Sequence, residues 1–191
     1  SRDAAIEAFG DLKQLEKELD AYLKKPRLLA YDFKPGQISA GPISLRQLSA
    51  GEAAIMPVMD AAFDPAFGEA WTAGQCLSLL TVPGSTLVLA EVGPKVVGFA
   101  LTRWILDEEE LLMIGVHPEH QRQRIAHNLL TFILRRAREH NRTRIFLEVR
   151  SNNPASLFYK SFGFEYSGTR KGYYRGDNGV RYDATTMTLN L

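Results

Sequence analysis

The chain has 191 residues and a net charge of +1 at pH 7, with 45% hydrophobic and 24% charged residues. That balance is typical of a globular domain and argues against a dedicated nucleic-acid or membrane-surface binder. One cysteine, Cys76, and four histidines provide neither a disulfide framework nor metal-ligand spacing. No apolar run nears the roughly 20 residues that cross a bilayer, so a cytoplasmic protein is expected.

The start, Ser-Arg-Asp-Ala-Ala, shows no signal-peptide apolar core. Ile6, Phe9, Leu12, Leu15, Leu19, Tyr22 and Leu23 recur at spacings of three and four, predicting a helix over residues 1–25 that Pro26 ends. Its apolar stripe would pack on the domain or on a second copy of the chain, making a homodimer. Residues 26–42 read as a connector with turns at Pro35-Gly36 and Gly41-Pro42. A domain is expected from Ile43 to Leu191.

Ile43–Leu48 alternates like a strand, and Ser49 would cap a helix to Ala62 despite Pro57. A loop over Phe63–Gly68 and a helix over Glu69–Leu80 follow. Thr86–Val92 and Lys95–Trp104 form a hairpin around Gly93-Pro94, and Glu109–Val116 a third strand. Then come a helix over Arg124–His140, a strand over Thr143–Val149, a short helix over Pro154–Phe162, and strands over Glu165–Arg170 and Tyr182–Asn190. The order predicts an α/β (α+β) fold, a mixed sheet with helices on its faces rather than a doubly wound Rossmann sheet.

Three segments carry candidate chemistry. Gln121, Arg122, Gln123, Arg124, Ile125 and Ala126 stand where a strand hands over to a helix. Unpaired amides and positive partial charge make such a junction an anion site, which Arg122 and Arg124 would reinforce. The alternative is the solvated basic start of an amphipathic helix, and Arg124 stands where a glycine is expected. Glu148 sits in an otherwise apolar strand, where desolvation would make it a general base, unless Arg144 or Arg150 pairs with it. In Asn153–Phe164, Asn153 is a good N-cap, Gly163 a C′ residue, and Tyr159 the polar exception on an apolar helix. Cys76, among Leu77, Leu79 and Leu80, reads as core.

Glu110 to Ala126 resembles the pyrophosphate motif Q/R-x-x-G-x-G/A of the GNAT superfamily of acetyl-CoA-dependent N-acetyltransferases, and Asn153 to Phe164 resembles its second cofactor motif. Within it, Leu147-Glu148-Val149-Arg150, then Arg170-Lys-Gly-Tyr173-Tyr174, Asp177 and Asp183-Ala184, are similar to bacterial ribosomal-protein N-terminal-alanine acetyltransferases. The resemblance implies a mostly antiparallel mixed sheet and acetyl transfer from acetyl-CoA to a primary amine, a protein N-terminus in the favoured reading. The backbone of Ile114, Gly115 and Val116 would hold the pantetheine arm. Gln121, Arg122, Gln123, Arg124, Ile125, Ala126 and His127 would face the pyrophosphate, and Asn153 would contact the cofactor. Glu148 would be the base, with Glu110 in reserve, and Tyr159 would protonate the CoA thiolate. Tyr173 and Tyr174 would line the acceptor groove. A small-molecule amine as acceptor, or a CoA-binding module without turnover, are the competing readings.

Overall fold

The structure, a computed structural model, describes residues 27–32, 45–177 and 179–191; the helix expected over 1–25 and the turns at 35–36 and 41–42 lie outside them. Seven strands form one sheet in the order β1-β2-β3-β4-β5-β7-β6. They are β1 (Arg27–Asp32), β2 (Ser85–Val92), β3 (Lys95–Ile105), β4 (Glu108–Val116), β5 (Arg144–Arg150), β6 (Glu165–Arg175) and β7 (Arg181–Asn190). The helices are α1 (Leu45–Ala62), α2 (Ala73–Leu80), α3 (Ile125–Glu139) and α4 (Ala155–Ser161). Among the described strands, β4 and β5 are the one parallel pair.

Strand alternation feeds two cores. Leu87, Leu89, Phe99 and Leu101 pack with α1 and α2 on one face. Val88, Ala90, Val97 and Ala100 pack with Leu129, Leu130 and Ile133 of α3 on the other. Both faces are therefore covered, which is why β2 and β3 read as continuous apolar runs.

Four sequence expectations change. Residues 45–48 are the start of α1, not a strand. An alternation of six residues cannot outweigh the helical spacing that links Leu45 and Leu48 to Ile55, Val58 and Met59 further along. The first strand comes instead from Arg27–Asp32, expected as connector, which pairs antiparallel with β2 from Arg27↔Glu91 to Asp32↔Thr86. The sheet thus reaches back past Ile43.

The second expected helix begins at Ala73, not Glu69. Thr72 Oγ1 accepts from the Gln75 N–H while the Gln75 side chain accepts from the Thr72 N–H, a reciprocal cap that fixes the start. Residues 69–71 are thereby left to the loop. The sixth strand runs on to Arg175 rather than stopping at Arg170, because an irregularity between Arg170 and Tyr174 is absorbed against β7. Asp183 secures it, accepting from the Gly172 N–H and from Lys171 Nζ, each at 2.9 Å.

Candidate active site

A split in the sheet creates the site. β4 and β5 pair only from Glu108↔Arg144 to Leu111↔Leu147, although β4 continues to Val116 and β5 to Arg150. The cause lies on the β3 side, where Thr102 faces Leu111 and Leu101 faces Met113, so Leu112 is an extra residue. Such a bulge bends its strand. It also resets the alternation: Leu111 and Ile114 pack on the α3 core, Leu112 and Met113 on the α1–α2 core. Past the bulge β4 leaves β5, and among the described residues no strand pairs with its backbone there on that side.

Two cavities open along the split, one of about 900 Å³ and one of about 320 Å³. Phe63, Glu69, Ile114, Asn153, Ala155 and Tyr159 line both, so the cavities meet there.

The larger cavity takes the end of β4 and the Gln121–His127 turn. Ile114, Gly115 and Val116 form one wall, and Gln121, Arg122, Arg124, Ile125, Ala126 and His127 line the rim. The first helical bond of α3 runs from the Asn128 N–H to the Arg124 carbonyl at 2.9 Å. The amides of Ile125, Ala126 and His127 thus have no acceptor within the helix. Gly98 lets the helix start sit close, since a Cβ there would meet Ile125 Cγ2 at 2.9 Å. Gln123 departs from expectation: it does not line the cavity, and its Nε2 donates to the Glu119 carbonyl at 3.4 Å. Two arginines in this turn adopt the left-handed conformation, Arg122 with φ +61° and Arg124 with φ +62°. Arg124, at the position of the resembled motif's glycine, thus holds a backbone conformation that favours glycine.

The smaller cavity is lined by Glu69, Glu110, Glu148, Tyr159, Tyr173 and Tyr174, beside Phe63 and Trp71. Glu148 is paired with neither Arg144 nor Arg150. Arg170 Nη1 donates to its Oε1 at 2.9 Å, and the Tyr174 hydroxyl donates to its carbonyl at 3.1 Å. Arg144 pairs with Glu108 instead, and Arg103 Nη2 donates to Glu110 Oε2 at 2.9 Å. Arg170 also lies 4.2 Å from the centre of the Tyr173 ring, so one guanidinium holds both the carboxylate and the phenol.

α4 supplies Tyr159, which is 8% exposed and packs between Phe158 and Phe164. Asn153 Oδ1 accepts from the Ala155 N–H at 2.9 Å, and Gly163, with φ +91°, closes the helix as expected. Burial first, and the Glu69 charge second, raise the Tyr159 phenol above the ordinary tyrosine range; the same causes lead for Tyr174. Cys76 is fully buried in the α1–α2 core.

Glu69 and Arg150 are the residues that sequence reasoning did not place here. Glu69 Oε1 accepts from Asn153 Nδ2 at 3.1 Å, and Oε2 lies 3.4 Å from Arg150 Nε. The one sequence signal was an arginine ending a strand otherwise fit for burial.

The "Acetyltransferase (GNAT) family" profile matches residues 53–164. A ribosomal protein bS18-alanine N-acetyltransferase of Escherichia coli (strain K12) is 36% identical over 98 residues, covering 51% of this chain and 66% of that protein. One from Haemophilus influenzae is 32% identical over 97 residues, with coverage of 51% and 66%. These matches span just under two thirds of the relatives' own length. The crystal structure of the ribosomal-protein-S18-alanine N-acetyltransferase from Escherichia coli superposes with a TM-score of 0.68 at 25% identity, covering 86% of this chain and 94% of that one. Ard1 from Thermoplasma volcanium has the same fold, with a TM-score of 0.65 at 21% identity over 86% of this chain and 97% of its own. The family match takes in more than half of the chain, from α1 through the helix that carries Tyr159, and the protein belongs to the GNAT acetyltransferase family.

Proposed function

We propose that the protein transfers the acetyl group of acetyl-CoA to a primary amine by direct attack, the amine being the α-amino group of a protein N-terminus. The observation that carries this reading is the meeting of two cavities of different character at Tyr159, with Glu148 on the smaller side. The larger has the size of a cofactor cleft and the donors that a pyrophosphate needs, in Arg122, Arg124 and the first amides of α3. The splayed edge of β4 at Ile114–Val116 offers backbone groups to the pantetheine arm and the thioester carbonyl.

The chemistry follows from that placement. Glu148 takes a proton from the incoming ammonium, directly or through water. The neutral nitrogen bonds to the thioester carbonyl carbon, and β4 amides stabilise the oxyanion. The nitrogen, now cationic, releases its second proton to solvent as the C–S bond breaks, and the sulfur receives its proton from Tyr159, which regains one from solvent as Glu148 gives up the one it took. Burial keeps that phenol protonated through the neutral range, so it stands ready as a donor. Holding donor and acceptor in adjoining cavities supplies proximity, and no covalent enzyme intermediate is needed.

Support for a protein N-terminus as acceptor comes from the relatives named for ribosomal-protein alanine acetylation and from Tyr173 and Tyr174 beside Glu148. Calorimetry with acetyl-CoA, followed by a thiol-release assay on peptides beginning Ala, Ser or Met beside simple polyamines, tests both parts. Absence of acetyl-CoA binding refutes the transferase reading, and preference for polyamines refutes the N-terminal acceptor.

A further inference from the structure

The transfer chemistry above leaves unused a largely buried carboxylate that stands at the junction of the two cavities. Glu69 lies in the loop between α1 and α2, its side chain 13% exposed, and it borders both cavities. We propose that Glu69 is a positioning residue of the transfer site: it fixes the Asn153 carboxamide and, through Arg150, latches the loop over the smaller cavity to the cofactor cleft. The proposal rests on reading the two cavities as cofactor and acceptor clefts.

The hydrogen bonds of Asn153 make the first half of the argument. Its Oδ1 is committed to the Ala155 N–H at the start of α4, which leaves Nδ2 as its donor. One N–H of Nδ2 goes to Glu69 Oε1 at 3.1 Å. The carboxamide is then held at both ends, and its remaining N–H is the donor available to the cleft. The Ala155 N–H selects the side that carries the oxygen, and Glu69 anchors the side that carries Nδ2.

Arg150 makes the second half. It is 6% exposed, its Nε is 3.4 Å from Glu69 Oε2, and its guanidinium lies 3.7 Å from the centre of the Phe67 ring. Phe67 in turn stands edge-on to Tyr182 of β7, with ring centres 5.5 Å apart. One carboxylate therefore joins the loop, β5 and the entrance to α4. A buried pair of this kind is weak as a source of net stability, but breaking it leaves the other charge uncompensated. Gly68 shows how tightly the loop is seated: with φ +66°, a Cβ there would fall 2.0 Å from the Arg175 carbonyl oxygen. The loop is pressed onto β6 one residue before Glu69.

The test compares Glu69→Ala and Glu69→Gln in the full chain, with acetyl-CoA affinity measured by calorimetry and acceptor KM on the best N-terminal peptide. Glu69→Ala is expected to weaken acetyl-CoA binding and raise acceptor KM by about tenfold each, the scale of one buried charge-assisted bond. Glu69→Gln keeps an oxygen for Asn153 Nδ2, so acetyl-CoA affinity should return to within about threefold of the parent, while acceptor KM stays raised because the Arg150 latch is still broken. Adding Asn153→Ala to Glu69→Ala should cost acetyl-CoA affinity less than it does in the parent, whereas adding it to Glu69→Gln should cost about as much as in the parent. If Glu69→Ala fails to fold, the acceptor KM of Glu69→Gln decides the matter. An acceptor KM within twofold of the parent in Glu69→Gln, or full additivity of Glu69→Ala with Asn153→Ala, overturns the proposal. Failure of the unmodified protein to bind acetyl-CoA overturns the functional reading itself and is seen before any variant is made.

Discussion

Replacing Arg124 by glycine separates two properties that one residue carries. Arg124 has φ +62° and ψ +14°, and it precedes the first residue of α3. A residue with a Cβ in that region is disfavoured by roughly 1–2 kcal/mol relative to glycine. Glycine gives back about 0.4–1 kcal/mol because it loosens the unfolded chain. The net is a stabilisation of about 0.5–1 kcal/mol, which in a domain of this size raises Tm by about 1–4 °C. The ligand side moves the other way. Arg124 lines the larger cavity and is exposed at its rim, so its charge on a bound pyrophosphate is worth about 1 kcal/mol, or roughly fivefold in affinity. Arg124→Gly should therefore melt higher in scanning calorimetry and bind acetyl-CoA more weakly in titration calorimetry. Its affinity should also fall less steeply with added salt, because one screened contact has gone. A lower Tm would refute the backbone argument. Unchanged or tighter binding would refute the phosphate contact, and would mean that the side chain turns to solvent.

Three further outcomes are expected. Tyr159→Phe should lower kcat by about 100-fold, the scale of one proton transfer, and change acetyl-CoA affinity less than threefold; equal loss in both would assign the residue to packing. Glu148→Gln should lower kcat by at least tenfold and Glu110→Gln by less, measured by thiol release at saturating acceptor, because Arg103, which holds Glu110, is less exposed than Arg170, which holds Glu148, and competes more strongly for its carboxylate. Asp183 is held below the usual carboxylate range by Lys171 and the Gly172 N–H. A lowered folded pKa contributes stability that is complete above the unfolded value near ~3.9 and is lost as pH falls through the folded one. Asp183→Asn should accordingly flatten the acid limb of stability, read from urea midpoints between about pH 2 and pH 6; an unchanged acid limb would refute the role.

Much of the site was legible because its chemistry lies in continuous segments. Gln121–His127 and Asn153–Phe164 each carry a helix start or stop that short-range rules detect, and the structure puts both along one cavity. What was missed depends on distant partners. Glu69 meets Asn153 across 84 positions, and Arg170 meets Glu148 across 22. The sequence rule that a strand glutamate pairs with its strand neighbours fails because Arg170 of β6 reaches Glu148 of β5 across the intervening β7. The bulge at Leu112 was equally hidden, since Leu-Leu-Met-Ile reads as a plain apolar strand. The edge strand at Arg27–Asp32 escaped for another reason: it sits between turn signals, and only the open edge of β2 selects it.

The two joined cavities differ in sign, and that difference bears on the order in which substrates find their places. His120, Arg122, Arg124 and His127 border the larger one, and no carboxylate other than Glu69 lines it among the described residues. Glu69, Glu110 and Glu148 border the smaller one, whereas their partners Arg150, Arg103 and Arg170 approach from outside its lining. A pyrophosphate and an ammonium entering this surface therefore meet arms whose lining charges differ. Under the proposed function, the acetyl group of the first and the nitrogen of the second then have one place to meet, the junction at Ile114 and Tyr159. Glu69 stands at that junction as the single carboxylate common to both arms. Its tie to Arg150 tempers the charge that it presents to the anionic arm, and its tie to Asn153 turns that charge into a fixed hydrogen bond. A carboxylate at the seam is compatible with a phosphate-bearing neighbour because it is engaged on both of its oxygens, and the same engagement holds the acceptor loop in place.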